Sequence, residues 1–285
     1  MSAGGVAPPI VDGLALEWSS AAPTGPAQSV DVLFLHGICT GARIFAEHFL
    51  GAFAAAGFRA HAVSLRGHGA SDGRARLATF TLADYVADLR AALSAIGRPT
   101  VVVGFSMGGA VAQAHLRAGG RPAGVVLMAS VPPWGLGPSS LRLAATDPAL
   151  FRELWLLNAF GVNAVDPKVV RRALFTAAVD DHAFAAFMAD AQDESPLVGV
   201  ELARGRPIAP LPVGLPPIAV VGGAVDRLVP ADEAIATGLW YGVRTTMIPD
   251  LGHAMMLEPE WPRAAAPILD FCGRVAAARA VPIAA

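Results

Sequence analysis

Lysine is almost missing from this 285-residue sequence. Lys168 stands alone, which argues against Schiff-base chemistry and against phosphate cradling by a lysine. Two cysteines, Cys39 and Cys272, are too few for a disulfide framework. Charged residues make up 15% of the chain, the formal net charge is -2, and the 21 basic residues form no dense block, so there is no electrostatic footprint for nucleic acid or an anionic lipid surface. The opening MSAGGVAPPIVDG lacks the basic start and apolar run of a signal peptide. Two uncharged windows, 122–141 and 207–225, approach membrane-span length, but proline and glycine interrupt both. These absences lead to the expectation of a cytoplasmic protein with no membrane span and no nucleic-acid partner, taking a small neutral or apolar ligand.

No internal repeat is visible, and no G-x-G-x-x-G follows a strand pattern, so a dinucleotide site is unsupported. His48, His61, His68, His115 and His182 show no spacing with one another or with carboxylates that builds a metal site. Neither a metal nor an organic cofactor is expected.

What is present is a large apolar content, 54% of residues with a mean hydropathy of +0.51, much of it alanine. A chain of this length buries about 70–75% of its surface on folding, enough for a substantial core. Short β-branched runs at 11–18, 30–35, 60–64, 100–105, 125–130, 218–222 and 243–248 alternate with helical patterns at 43–56, 81–96, 107–117, 231–240 and 260–277. That is the βαβ rhythm of a parallel sheet covered by helices on both faces. The rhythm breaks once. Between GVVLMAS and PIAVVGG lie roughly eighty residues with helix-like pieces (LFRELWLLNAF, KVVRRALFTAAV, DHAFAAFMADA), bordered by VPPWGLGP and RPIAPLPVGLPP. The expected division is a core of residues 1–131 and 215–285 with a helical cap at 132–214.

The segment VVVGFSMGGAVAQ, residues 101–113, places Ser106 between glycines where a buried strand gives way to a helix. One reading is a serine that merely caps the helix. The other is the G-x-S-x-G turn, in which small neighbours let a crowded backbone project a nucleophilic hydroxyl beside free helical N–H groups. A serine nucleophile needs a base, and the base needs an orienting acid. Asp226 follows the apolar strand 218–222 in VVGGAVDRLVP, and His253 follows the strand 243–248 in MIPDLGHAMMLEP, so all three lie just after strand ends. The agreement of order and position favours the nucleophile over the cap. Other acids fit less well: Asp147 and Asp166 fall inside the insertion, Asp250 reads as a turn former and Glu258 as a residue near the last helix. An oxyanion would need two N–H donors, for which Met107 and Ile38, the latter in LFLHGICTG, are the candidates, with Cys39 next. A Cys39–His36 nucleophilic pair is disfavoured because His36 ends a buried strand.

With Leu35-His36-Gly37, the segment 65–71 (LRGHGAS), Gly104 to Gly109, Asp226 and Gly252-His253 in register, the chain resembles the α/β-hydrolase superfamily over about residues 11–275. The R-G-H-G-x-S segment is similar to that of monoacylglycerol-lipase and lysophospholipase-like members. The resemblance implies an α/β-hydrolase fold, a mostly parallel twisted sheet with helices on both faces and an inserted helical cap. It implies Ser106 as nucleophile, His253 as base and Asp226 as its orienter. The absence of an HGGG run departs from hormone-sensitive-lipase-type esterases.

The expected function is hydrolysis of a small-molecule carboxylic ester with an apolar acyl part through an acyl-enzyme. A thioesterase, or an acyltransferase or cyclase with the same three residues, is the alternative within enzymes; a non-catalytic ligand-binding protein is the alternative outside them. Cys39, Trp134, Trp155, Phe160 and Met255 are the expected pocket residues, since the cap carries apolar side chains with few charges among them.

Overall fold

The first ordered feature is a hairpin: β1 (Ile10–Val11) and β2 (Leu14–Ala15) pair antiparallel around Asp12-Gly13, whose φ values of 52° and 77° are both left-handed, as a two-residue hairpin turn requires. The single strand expected at 11–18 is therefore split, and β3 (Trp18–Ala21) departs to the rim of a larger sheet. These coordinates come from a computed structural model that describes residues 7–204 and 213–280. The first part of MSAGGVAPPIVDG and most of the RPIAPLPVGLPP border lie outside the described residues.

Six further strands, β4 (Asp31–Leu35), β5 (Ala60–Val63), β6 (Thr100–Phe105), β7 (Gly124–Met128), β8 (Ile218–Gly223) and β9 (Thr245–Ile248), lie parallel in the spatial order β5-β4-β6-β7-β8-β9. β3 pairs antiparallel with β5 at the edge. β4, β5, β6 and β7 are buried along their whole length, which is why their sequences are continuous apolar runs and not alternating ones. Side chains still alternate between faces. Val32 and Phe34 of β4 enter one core with Phe45, Phe49 and Phe53, whereas Leu33 and Leu35 enter the other with Tyr85, Leu89 and Val111.

Helices α1 (Phe49–Ala55), α2 (Leu82–Ile96) and α3 (Met107–Arg117) follow β4, β5 and β6. The expected helix 43–56 is two pieces, a 3-10 turn at Ala42–Phe45 and α1, because the Ala46 N–H closes back onto Arg43 and ends the first. α2 begins at a capping box in which Thr81 and Asp84 satisfy each other's backbone N–H, and it ends at Gly97 with φ 63°.

Between β7 and β8 the described chain is helical: α4 (Gly137–Thr146), α5 (Pro148–Phe160), α6 (Pro167–Leu174), α7 (Asp181–Asp190) and α8 (Pro196–Arg204). Asp147 and Asp166 cap α5 and α6, each followed by proline at the first helical position. The two aspartates inside the insertion thus serve as helix starts. α9 (Ala231–Trp240) and α10 (Trp261–Ala280) complete the fold. No helix among the described residues is long and apolar enough to cross a membrane.

Candidate active site

Ser106 sits between β6 and α3 with φ 51° and ψ -113°, a backbone conformation that costs of order 1–3 kcal/mol for a side-chain-bearing residue. Three backbone bonds hold it there: Ser106 N–H to Met128 O (3.0 Å), Gly109 N–H to Ser106 O (3.0 Å) and Val131 N–H to Ser106 O (3.2 Å). The flanking glycines follow from crowding. A Cβ on Gly104 would lie 2.5 Å from Gly108 O, and one on Gly108 would lie 2.5 Å from Leu35 O and 2.7 Å from His36 O. Although Ser106 occupies the position before α3, its side chain makes no capping bond. The hydroxyl is instead 3.0 Å from His253 Nε2.

His253 is buried in the loop after β9, with the Phe105 ring 5.0 Å from its own. Its Nδ1 lies 2.7 Å from Asp226 Oδ2. Asp226, in the turn after β8, accepts on Oδ1 from the N–H groups of Leu228 (2.8 Å) and Val229 (2.9 Å). With Nδ1–H donated to the carboxylate, Nε2 is left as the acceptor for the serine hydroxyl. Residues 106, 226 and 253, brought from three strand ends, thus form one hydrogen-bonded line.

The loop after β4 supplies the adjacent wall. Leu65 N–H donates to His36 Nε2 at 3.0 Å, so the proton of His36 is on Nδ1, which donates to Gly37 O at 2.7 Å. Complete burial, with His68 nearby, pushes the His36 pKa down to about 3 against the opposing backbone bond, so the ring stays neutral. Thr40 Oγ1–H donates to the same Gly37 carbonyl at 3.1 Å. In a trans peptide the N–H points opposite to the carbonyl, so the Ile38 N–H is turned away from these donors. Ile38 lines the cavity space above Ser106. Met107 supplies the first N–H of α3, one of the groups a helix leaves without an intrahelical partner. Cys39 takes φ 59° and is buried; burial, with the charges of Glu194 and Asp193, raises its thiol pKa well above the ordinary value. It is a neutral thiol with no activated partner.

Two cavities meet at Ser106. The inner one, about 100 Å³, runs beneath α5, α6 and α7; the outer one, about 500 Å³, runs between α4, α5 and α8. Cys39 lines both, and Trp155 lines the outer one near its mouth. Three of the expected pocket residues lie elsewhere. Trp134 donates its indole N–H to Glu233 Oε2 at 3.2 Å and meets Trp240 edge to face, because a half-buried indole needs an acceptor and α9 provides it. Phe160 is 66% exposed and packs on Trp155 at the surface. Met255 is fully buried in the core: the turn closed by Leu257 N–H to Ala254 O sends it inward and leaves its neighbour Met256 lining the inner cavity.

Other residues became visible only in three dimensions. Glu258 is buried and accepts from Gly252 N–H (3.1 Å), from Thr176 N–H (2.9 Å) and from the Thr176 hydroxyl. Ala254 N–H donates to Leu174 O at 2.9 Å. The end of α6 is therefore clamped to both sides of His253. On the opposite side, Gln192 N–H donates to Cys39 O at 2.9 Å, and Glu194 accepts from Tyr85 (2.6 Å) and pairs with His68 (3.1 Å). Glu194 is buried, which would raise its pKa, yet His68 and these donors hold it below the ordinary value. The R-G-H-G-x-S segment carries the structural side of this network: Arg66 is buried and donates to Asp88 at 2.8 Å. The sequence offered one hint, a glutamate five residues after His253, but no pattern that pairs it with Thr176.

Comparison with known proteins bears on the family and the fold. The model of the alpha/beta hydrolase family matches residues 32–265. A thermophilic esterase from Thermogutta terrifontis is similar in structure with a TM-score of 0.72 at 20% identity, over 95% of this chain and 97% of its own. An esterase from Exiguobacterium antarcticum gives a TM-score of 0.71 at 18% identity, over 95% and 100%. One from a Rhodococcus species gives 0.67 at 21%, over 94% and 98%. At these identities the likeness is one of fold. No curated protein matches the chain by sequence.

Proposed function

The chain belongs to the alpha/beta hydrolase family, and from that premise we propose that it is a serine hydrolase of carboxylic esters with an apolar acyl part. Ser106 is the nucleophile, His253 the base and Asp226 its orienter. The observation that carries this reading is the line of two hydrogen bonds, Ser106 Oγ to His253 Nε2 at 3.0 Å and His253 Nδ1 to Asp226 Oδ2 at 2.7 Å. Residues 132–214 act as a cap that shapes the substrate space.

In the reaction His253 Nε2 takes the Ser106 proton as Oγ bonds to the ester carbonyl carbon. The carbonyl oxygen gains negative charge and is met by the N–H groups of Ile38 and Met107, each such donor contributing about 3–4 kcal/mol to the barrier reduction. The tetrahedral species collapses, the carbon–oxygen bond to the alcohol breaks, and the alcohol leaves with the proton from His253. Water then attacks the acyl-enzyme, giving its proton to His253 and releasing the acid with Ser106 restored. The rigid Ser106 backbone and the fixed neutral His36 place these groups before the substrate arrives, so little reorganisation is needed during the reaction.

Ser106→Ala is expected to lower ester turnover by at least about 10⁴-fold and to abolish labelling by a fluorophosphonate, with the thermal unfolding midpoint kept. Retained labelling in that variant sinks the assignment of the nucleophile.

A further inference from the structure

The two cavities that meet at Ser106 are not equivalent, and their difference assigns the two halves of the substrate. They share the residues at the centre, among them Ile38, Ser106, Leu154 and His253, and then diverge. Every residue lining the inner cavity is buried or half-buried. The outer cavity includes exposed Phe151, Trp155, Asn158, Val200 and Arg227 in its wall, so it opens to solvent there. The inner space is the more enclosed of the two, and the outer one offers the wider way in.

Resting on the serine-hydrolase reading above, we propose that the inner cavity holds the acyl group and the outer cavity the alcohol, so that the enzyme selects esters of short, uncharged acids. The order of the chemical events requires this arrangement. When the carbon–oxygen bond to the alcohol breaks, the acyl group is still joined to Ser106 Oγ, and the alcohol must depart before water can take its place. An alcohol in the more enclosed cavity would be separated by the acyl-enzyme from the wider opening. An alcohol in the open cavity leaves by the route through which water then reaches the acyl carbon, beside His253.

The linings agree with this division. The inner wall is built by side chains such as Val162, Val170, Leu174, Phe187 and Met188. Its one carboxylate, Glu153, is committed elsewhere: Oε1 accepts from Arg152 at 2.6 Å and Oε2 from the Asp166 N–H at 2.8 Å. Among the described residues, no lysine or arginine lines that space to meet an acidic acyl tail. The outer wall mixes apolar side chains with Ser139, Ser140, Arg142, Asp147 and Asn158, which suits a larger alcohol carrying polar groups. Size sets the chain length. A space of about 100 Å³ is smaller than the roughly 150 Å³ apolar cavity that takes up one benzene ring, so acyl chains of about four carbons fill it and much longer ones do not fit.

The test is kcat/KM over p-nitrophenyl esters from acetyl to palmitoyl, and over butanoyl esters of alcohols of increasing size, for the full chain and three variants. The full chain is expected to peak at roughly four acyl carbons and to fall at least about tenfold by palmitoyl. Met188→Ala should move the acyl peak to longer chains by roughly two carbons and Val162→Phe to shorter ones, neither altering the ranking of alcohols. Trp155→Ala should alter the ranking of alcohols and leave the acyl peak in place. If Val162→Phe does not fold, Met188→Ala carries the comparison alone. A flat acyl profile overturns the proposal, as does a peak that follows Trp155→Ala and ignores Met188→Ala. Fluorophosphonate labelling of Ser106 separates the two levels: labelling with a misplaced peak overturns only the chamber assignment. No labelling and no turnover of any ester overturns the serine-hydrolase reading as well.

Discussion

The sheet rim and the helical insertion contribute to the same site in different ways. Ser106, Asp226 and His253 lie in the turns and loop that follow strand ends and are all buried; Ser106 is tied to Met128 and Val131 at the end of the neighbouring strand, and Asp226 to the N–H groups of Leu228 and Val229. The insertion presents apolar side chains to the cavities and is tied to the loops beside Ser106 and His253 by clamps such as Thr176–Glu258 and Gln192–Cys39. Rigid strand ends hold geometry to the tolerance that proton transfer demands, while helices joined by loops can vary the shape of the space above without disturbing it. On the proposed reading, chemistry and selectivity are carried by separate parts of one molecule.

Substitutions on the two sides should differ in kind. The largest loss is expected on the rim: His253→Ala should lower kcat by about 10⁴-fold or more while leaving KM within a few-fold, as steady-state kinetics on one ester would show, and a loss below about tenfold would remove His253 as base. Next is Gly108→Ala. Its new Cβ would sit 2.5 Å from Leu35 O, and the overpacking should cost about 1–3 kcal/mol of stability in urea denaturation and misplace Ser106. Smaller again is Glu258→Ala, which cuts the clamp beside His253 and should lower kcat by about 10–100-fold with little change in KM. Glu258→Gln keeps an acceptor for the two N–H donors and should recover most of that loss; equal damage by both variants would show that Glu258 does not position the loop.

The last effect concerns pH and is read in stability, not in turnover. His36 is held neutral in the folded chain with its pKa pushed down to about 3, below the ordinary histidine value of 6.5. On acidification the unfolded chain therefore binds a proton at His36 that the folded chain does not, and stability should fall by up to about 1.4 kcal/mol per pH unit between those two values. Urea midpoints measured from pH 7 to 4 should show this slope, and His36→Asn should flatten it. An unchanged slope in that variant would show that other groups govern the acid response.

The sheet was readable because its signals are local. The continuous apolar runs of β4, β6 and β7 mark strands buried on both faces, and the Asp-Pro pairs mark the starts of α5 and α6. The hairpin at Asp12-Gly13 was missed although its turn residues were in view, because the apolar pattern across 11–18 looked continuous. α4 and α8 were missed for a related reason. α4 places a single residue in the buried class, Ser139, so its apolar stripe is weak, and α8 carries Gly199, which lowers helical propensity where Asn158 needs room.

In the candidate site, the turn around Ser106 was legible for the same local reason: glycines at 104 and 108 answer a clash within a few residues of chain and the strand beside it. The cavity walls were not. Trp134, Trp155, Phe160 and Met255 are all large apolar residues in or near expected pocket positions, and nothing local tells which of them faces α9, the solvent, the core or the ligand space.

By itself the sequence determined the parallel sheet, the strained serine turn and the order in which a base and an acid could follow it, since each depends on hydrogen bonding and sterics between near neighbours. Tertiary structure alone decided that Glu258 reaches Thr176 and that the space above Ser106 divides into a smaller, more enclosed cavity and a larger one lined in part by exposed side chains. Those outcomes depend on side chains from segments more than eighty residues apart filling a shared volume, and packing of that kind has no periodicity for a sequence to display.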